Sequence, residues 1–456
     1  MASATARTAT AERTAAAFDG PALPLPPIAA APHGLAATMY HAMTDPLRLW
    51  DRRHYEELFV VTDTPLGRQI VVSDPDAIRR VLVDAPERYG QDTVAARVIR
   101  RVTGRSVFSA EGEDWRRQRR LLSPFFTPRA VEARHGTMAA VAEDLVARLA
   151  GEAGSTVDMA TRFAAATVEL LVRTLLPSGT GETPEAIARS VRRFADVQGR
   201  IGLLDLLGLP VAIPDPRRLL APLIGRGVRA RAARILARAR ADGRAPDDDL
   251  AAALLAARDL PPAERLSARE ISDTISMLLG AGTDTVALAS TWSVHLLSTH
   301  PREREAVEAE IDAVVGGGPI TAERLALLER TRAVVDEAMR LYPPAPTLGR
   351  RALVDDRLGD VAVPAGSMIV IAPLLLHRHR RLWPEPDRFL PERFLGARRA
   401  AIPRSAHLPF GAGPRVCIGN AFAMMEAVAI LAVLLQTVHL ENRTTAAAEP
   451  LMRVTL

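Results

Sequence analysis

Leu408-Pro409-Phe410-Gly411-Ala412-Gly413-Pro414-Arg415-Val416-Cys417-Ile418-Gly419-Asn420 is the stretch whose reading decides the fold. It carries the single cysteine of a 456-residue chain, so no intramolecular disulfide can form and a reducing compartment is expected. A lone cysteine is ordinarily an inert core thiol. This one stands between glycines that free the backbone to approach a flat ligand closely. An apolar helix from about Ile418 to Leu435 follows it, and the amides and dipole at its start can stabilise a thiolate. Arg415, two residues earlier, can pair with a carboxylate. A dinucleotide-binding loop fails as a rival, because Gly411-x-Gly413 needs another glycine at 416 and the residue there is Val416.

The run resembles the haem loop of the cytochromes P-450, Phe-x-x-Gly-x-Arg-x-Cys-x-Gly, at Phe410, Gly413, Arg415, Cys417 and Gly419. The resemblance implies a mainly α fold with small β sheets (α+β), a single haem domain, and haem b (iron protoporphyrin IX) as cofactor. It makes Cys417 the proximal iron ligand, with Phe410, Gly411 and Arg415 beside the cofactor. Such a thiolate pushes electron density onto the iron and favours O–O cleavage. None of the ten histidines has a comparable context.

Other motifs fall in the family's order. Ser267-Ala268-Arg269-Glu270 is a capping box flanked by Leu266 and Ile271, a hydrophobic staple, and the helix it opens can run to His300, where Pro301 stops it. At about 1.5 Å per residue it spans roughly 50 Å, and being apolar on most faces it should be central and buried. Inside it lies Gly280-Ala281-Gly282-Thr283-Asp284-Thr285-Val286. Read plainly, this is a small-residue patch for close helix packing. It also resembles the family's Ala/Gly-Gly-x-Asp/Glu-Thr pattern at Ala281, Gly282, Asp284 and Thr285, with Val286 departing from the usual Thr or Ser. By that resemblance Asp284 and Thr285 are catalytic, and Ala281 and Gly282 leave room over the iron for dioxygen. The Thr285 hydroxyl can bond back to the Ala281 carbonyl and locally open the helix.

Glu337-Ala338-Met339-Arg340 alone reads as a solvated pair on a helix face. With Pro391-Glu392-Arg393-Phe394 downstream it resembles the family's structural network of Glu337, Arg340 and Arg393, which locks the coil around the haem loop. Trp115-Arg116-Arg117-Gln118-Arg119 resembles the family's Trp-x-x-x-Arg, which makes Trp115 and Arg119 propionate donors; Arg116, Arg117 and Arg120 read as a basic, solvated helix face. Arg350, at the start of a strand, resembles a further propionate donor. Phe108, Leu278, Ala281, Thr347 and Leu348 are the pocket candidates and imply an apolar ligand.

The rest of the chain is consistent with this. It is 48% hydrophobic and 24% charged with a net charge of +5, its 58 basic residues are all arginine, and they are scattered among nearly as many carboxylates, which does not argue for nucleic acid. No run of about twenty apolar residues reads as a membrane span. Residues 1–35 are expected to be a disordered tail rich in Ala, Thr and Pro, and 36–456 the catalytic domain. Leu58–Val61 and Gln69–Val72 read as strands around Thr64-Pro65-Leu66-Gly67; 115–257 as mostly helical, broken at 177–179, 208–216 and 243–248; 353–371 as strand-like; and the segment from Pro373 to about His407 as coil. The chain stops at Arg453-Val454-Thr455-Leu456, where the family continues through another short hairpin, so the resemblance does not supply that wall of the pocket.

The expectation is therefore a cytoplasmic haem-thiolate monooxygenase inserting one atom of dioxygen into a small apolar substrate. With no flavin or nicotinamide domain read in the chain, electrons from NAD(P)H should arrive through a ferredoxin and a ferredoxin reductase. Two alternatives stand beside it: a haem-thiolate enzyme that uses or rearranges a peroxide, which the intact Asp284-Thr285 pair opposes, and a helical binding protein in which Cys417 is merely buried.

Overall fold

The computed structural model describes residues 31–64, 67–198, 221–443 and a few others (23, 28, 29, 202, 205, 450–452 and 455). Of the tail expected over 1–35, residues 1–30 lie largely outside the described residues, while a helix already begins at Leu35; the Pro65-Leu66 turn, the break at 208–216 and most of the last four residues also lie outside. Among the described residues, seven short strands form two sheets. The larger has the order β1 (Phe59–Thr64), β2 (Gly67–Val72), β7 (Met368–Ile371), β4 (Leu348–Ala352) and β3 (Tyr89–Gly90). The smaller pairs β5 (Asp356–Leu358) with β6 (Val361–Val363). β2 and β7 run parallel and the other neighbours antiparallel, so the sheet joins chain segments some three hundred residues apart. The strand-like stretch expected over 353–371 resolves into three strands separated by turns, and its true start, β4, lies five residues earlier.

Helices make up most of the rest. Those that frame the site are α1 (Gly112–Leu122), α2 (His135–Ala150), α3 (Met159–Leu175), α4 (Pro184–Gln198), α5 (Ala268–Thr299), α6 (Pro301–Val314), α7 (Glu329–Leu341) and α8 (Asn420–Thr437). α5 starts where the sequence says it should. The Ser267 hydroxyl accepts from the Glu270 amide at 3.2 Å, and the Glu270 carboxylate accepts from the Ser267 amide at 2.8 Å. Leu266 and Ile271, the staple pair, are both buried in the main core. At 32 residues it crosses the molecule, packed against α3, α4, α7 and α8.

α8 is apolar all round and long enough to cross a membrane by composition, yet it is largely buried inside the protein, against α2, α5, α6 and α7. A helix that is apolar on every face is a core helix when other helices cover it. The segment expected as coil from 373 to 407 holds three single turns of helix, Pro373–Leu376, Pro391–Phe394 and Gly396–Ala401.

Candidate active site

Three elements carry the singled-out residues, the loop before α8, the middle of α5 and the neighbourhood of α1, and the first and last of these are in direct contact. In the loop, the Cys417 amide donates to the Phe410 carbonyl at 2.9 Å, and Gly411 and Gly413 take φ of 70° and 71°. That region favours glycine. Gly413 has a second reason: a Cβ there would lie 1.8 Å from the Leu82 carbonyl oxygen. Its smallness thus lets the loop lie against the backbone of residues 82–83 instead of serving a ligand directly. Cys417 is solvent-accessible although protein surrounds it closely. Burial pushes its thiol up, opposed by the Gly419 amide and by the charge of Arg119.

Around α1 the structure gathers positive charge. The Arg415 guanidinium stacks on the Trp115 ring at 4.3 Å and donates to the Ala110 carbonyl at 2.8 Å. Arg119 donates to the Val416 carbonyl at 3.0 Å, and the half-buried Arg350 donates to the Gly349 carbonyl. Burial, reinforced by Arg350 and Arg119, holds Arg415 down at about 10. Among the described residues none of these three arginines has an ion pair. Three guanidinia crowded together, with the Glu111 carboxylate near Arg415 and Arg350 but none in an ion pair among the described residues, form a site for a multiply charged anionic group. The donor set of one deep thiol, a flat glycine-bearing loop and this cluster fits a haem with its two propionates.

In α5, Ala281 is exposed and Thr285 partly so, one turn apart on a helix buried over most of its length. The Thr285 hydroxyl donates to the Ala281 carbonyl at 2.8 Å. The bond is the one expected, but the helix stays continuous around it and does not open. The Asp284 carboxyl is pushed up by burial and by Asp196, while Arg192 opposes; both neighbours are exposed residues of α4. Gly282 differs from expectation. A Cβ on it would come within 2.4 Å of Leu171 on α3, so its smallness serves helix packing. Among the pocket candidates, Leu278 is buried, Thr347 and Leu348 are half-buried, and Phe108 is 50% exposed. Leu348 lies against the loop, 3.8 Å from where a Gly411 Cβ would stand.

The network of Glu337, Arg340 and Arg393 is assembled beneath the loop. Arg340 donates from Nε and Nη2 to the two Glu337 oxygens at 2.6 and 2.8 Å, and both side chains are fully buried. Arg393 Nε stands 3.5 Å from Glu337 Oε1, and burial holds this arginine down at about 10. Arg117 departs from the reading of a solvated face: it is only 17% exposed and is paired to Glu270 at the start of α5. The cause is the capping box, whose glutamate is placed to accept from both α1 and Ser267.

Two buried groups were not read from the sequence. Glu426 on α8 has its carboxyl pushed well up by burial, with Thr167 of α3 beside it. His377 binds the amide of Leu408. Neither lies in a motif with a residue-type signal; only the apolar surroundings of Glu426 marked it as unusual.

Comparison with known proteins agrees with this geometry. The family model described as Cytochrome P-450 matches residues 52–453. Cyclooctat-9-en-7-ol 5-monooxygenase of Streptomyces melanosporofaciens is 33% identical over 370 residues, 81% of this chain and 79% of that protein. Pentalenene oxygenase of Streptomyces avermitilis is 33% identical over 364 residues, 79% of each chain. A crystal structure of a cytochrome P-450 superposes with a TM-score of 0.76 at 26% identity, covering 88% of this chain and 93% of the other. A deep single thiol, a propionate-ready arginine cluster and a family match over most of the sequence lead to one conclusion: the chain belongs to the cytochrome P-450 family and is a haem-thiolate monooxygenase.

Proposed function

We propose that this enzyme inserts one atom of dioxygen into a small apolar substrate, by hydroxylation or epoxidation, with haem b held by Cys417. The observation that carries the reading is the Thr285 hydroxyl held on the carbonyl of the exposed Ala281, one turn away in the long helix α5. When bound, the haem supplies dioxygen activation, and the thiolate ligand favours O–O cleavage. Trp115, Arg119, Arg350 and Arg415 would hold the propionates. Thr285 Oγ1 spends its proton on the Ala281 carbonyl, which leaves its lone pairs to accept from a water. Asp284, raised by burial, is the neighbouring group able to carry a proton inward from the α4 surface. Phe108, Leu278, Thr347 and Leu348 would line the substrate's side of the site, offering it few polar contacts.

Two relatives are named for oxidising cyclooctat-9-en-7-ol and pentalenene, which supports an alkene-type substrate. We assign electron delivery to a ferredoxin and ferredoxin reductase fed by NAD(P)H, in the cytoplasm. Arg116 and Arg120, exposed on α1, would attract the acidic partner. In a reconstituted mixture with isotopically labelled dioxygen and a panel of apolar alkenes, the product should carry one labelled oxygen atom. Oxygen drawn from water, or turnover undiminished without dioxygen, would contradict the proposal.

A further inference from the structure

His377 follows the helical turn Pro373–Leu376 and is fully buried. Its Nε2 accepts from the backbone amide of Leu408 at 2.8 Å, and its own carbonyl accepts from Arg340 Nη1 at 2.7 Å. A backbone N–H can only donate, so Nε2 is the acceptor and the ring proton sits on Nδ1. Leu408 is the head of the cysteine loop. Its carbonyl accepts from Gly411 at 3.1 Å, and the Phe410 carbonyl accepts from Cys417 at 2.9 Å. A chain of buried bonds therefore runs from Glu337 through Arg340 and His377 to Leu408, and the loop's own backbone bonds continue it to the Cys417 amide.

We propose that His377 is a positioning residue for the cysteine loop: its neutral imidazole clamps the Leu408 amide and so fixes the backbone that presents Cys417 to the haem iron. This rests on the haem-thiolate reading of Cys417. Among the described residues nothing else accepts from that amide, and an unmet buried N–H is expensive. The surroundings hold the acceptor ready. His407, whose ring centre is 5.0 Å away, faces His377 from the coil, and Arg340 faces it from α7. His407 is itself faced by Asp336 and Arg340 from α7 and by Arg399 from the turn Gly396–Ala401. Burial, then the charges of His407 and Arg340, hold His377 well below the ordinary 6.5. Protonation would place a second N–H against that of Leu408 and open the clamp. The folded state keeps the imidazole neutral whereas the unfolded chain takes up a proton near 6.5. The contribution is thus complete above about pH 6.5 and is lost as pH falls below it.

The test uses the full haem-loaded chain and follows the red-shifted Soret band of the reduced carbon monoxide complex, which reports thiolate ligation. His377→Phe keeps ring volume without an acceptor; His377→Gln restores an acceptor that does not titrate. At neutral pH and mild warmth, His377→Phe should lose the band about tenfold faster than the unaltered enzyme, the factor expected for one orphaned buried amide. His377→Gln should stay close to the unaltered enzyme at neutral pH, and its loss should accelerate less steeply below pH 6.5 than that of the unaltered enzyme, the remainder belonging to other buried histidines such as His407. Equal decay in His377→Phe, or decay in His377→Gln as fast as in His377→Phe, would overturn the inference. Should His377→Phe yield no haem-loaded protein, the Gln variant decides: a profile that steepens below pH 6.5 as much as that of the unaltered enzyme overturns it. Absence of the band from the unaltered enzyme is a different failure, that of the haem-thiolate reading itself.

Discussion

Thr285 and Asp284 are adjacent in sequence but face different surroundings, and their variants should fail differently. The Thr285 hydroxyl is fixed on the Ala281 carbonyl at 2.8 Å, at a point where α5 is accessible. Asp284 looks toward Arg192 and Asp196. Losing the hydroxyl removes the group that orders a water without disturbing electron delivery. Thr285→Ala should therefore retain haem, substrate binding and NAD(P)H consumption, while hydrogen peroxide rises at the expense of product. Asp284→Asn should instead slow turnover itself, by up to the roughly 10²–10⁴-fold that positioned proton transfer contributes. Product and peroxide per NAD(P)H, measured side by side, decide between them. Tight coupling in Thr285→Ala would leave the small residues of this segment with packing as their only role, the role that Gly282 against Leu171 already has.

At the scale of elements, α5 and α7 hold the site from opposite directions. α7 delivers Glu337 and Arg340 into a fully buried bidentate pair whose spare N–H groups tie the carbonyls of His377, Pro386 and Arg388. Removing one partner of such a pair leaves an uncompensated buried charge, a loss of about 3–5 kcal/mol. Glu337→Ala should thus give little haem-loaded protein, and normal expression at full haem content would contradict the burial described here. These elements differ in how far the sequence disclosed them. α5 was legible from end to end because its signals are local: a capping box, a staple and a stopping proline act within a few residues of each terminus. The pairing of Glu337 with Arg340 was legible by resemblance, but its burial comes from coil folded over it from residues 377–393, which no local period reports. β4 was placed late because Leu348–Ala352 carries two arginines and reads as polar; its pairing with β7, a tertiary event, makes it a strand. Arg117 was misread for a related reason, since its partner Glu270 lies 153 residues away. His377 was passed over because one histidine in an Arg-rich stretch carries no sign of what its ring will meet.

For the whole molecule, the fold joins distant segments: the cysteine loop before α8 and the arginines around α1 come from stretches about 300 residues apart and meet through the Arg119–Val416 and Arg415–Ala110 bonds. The family assignment rests on sequence over most of the chain and is independent of the site geometry, and the two agree. What joins them is the claim that Cys417 binds the haem iron as a thiolate. Burial pushes the free thiol up, opposed by the Gly419 amide and Arg119, and coordination to the haem iron would stabilise it as the thiolate. The absorption spectrum of the reduced protein under carbon monoxide tests this directly, taken for the full chain and for Cys417→Ala. The account predicts a strongly red-shifted Soret band in the first and its loss in the second; the same band in both would contradict it.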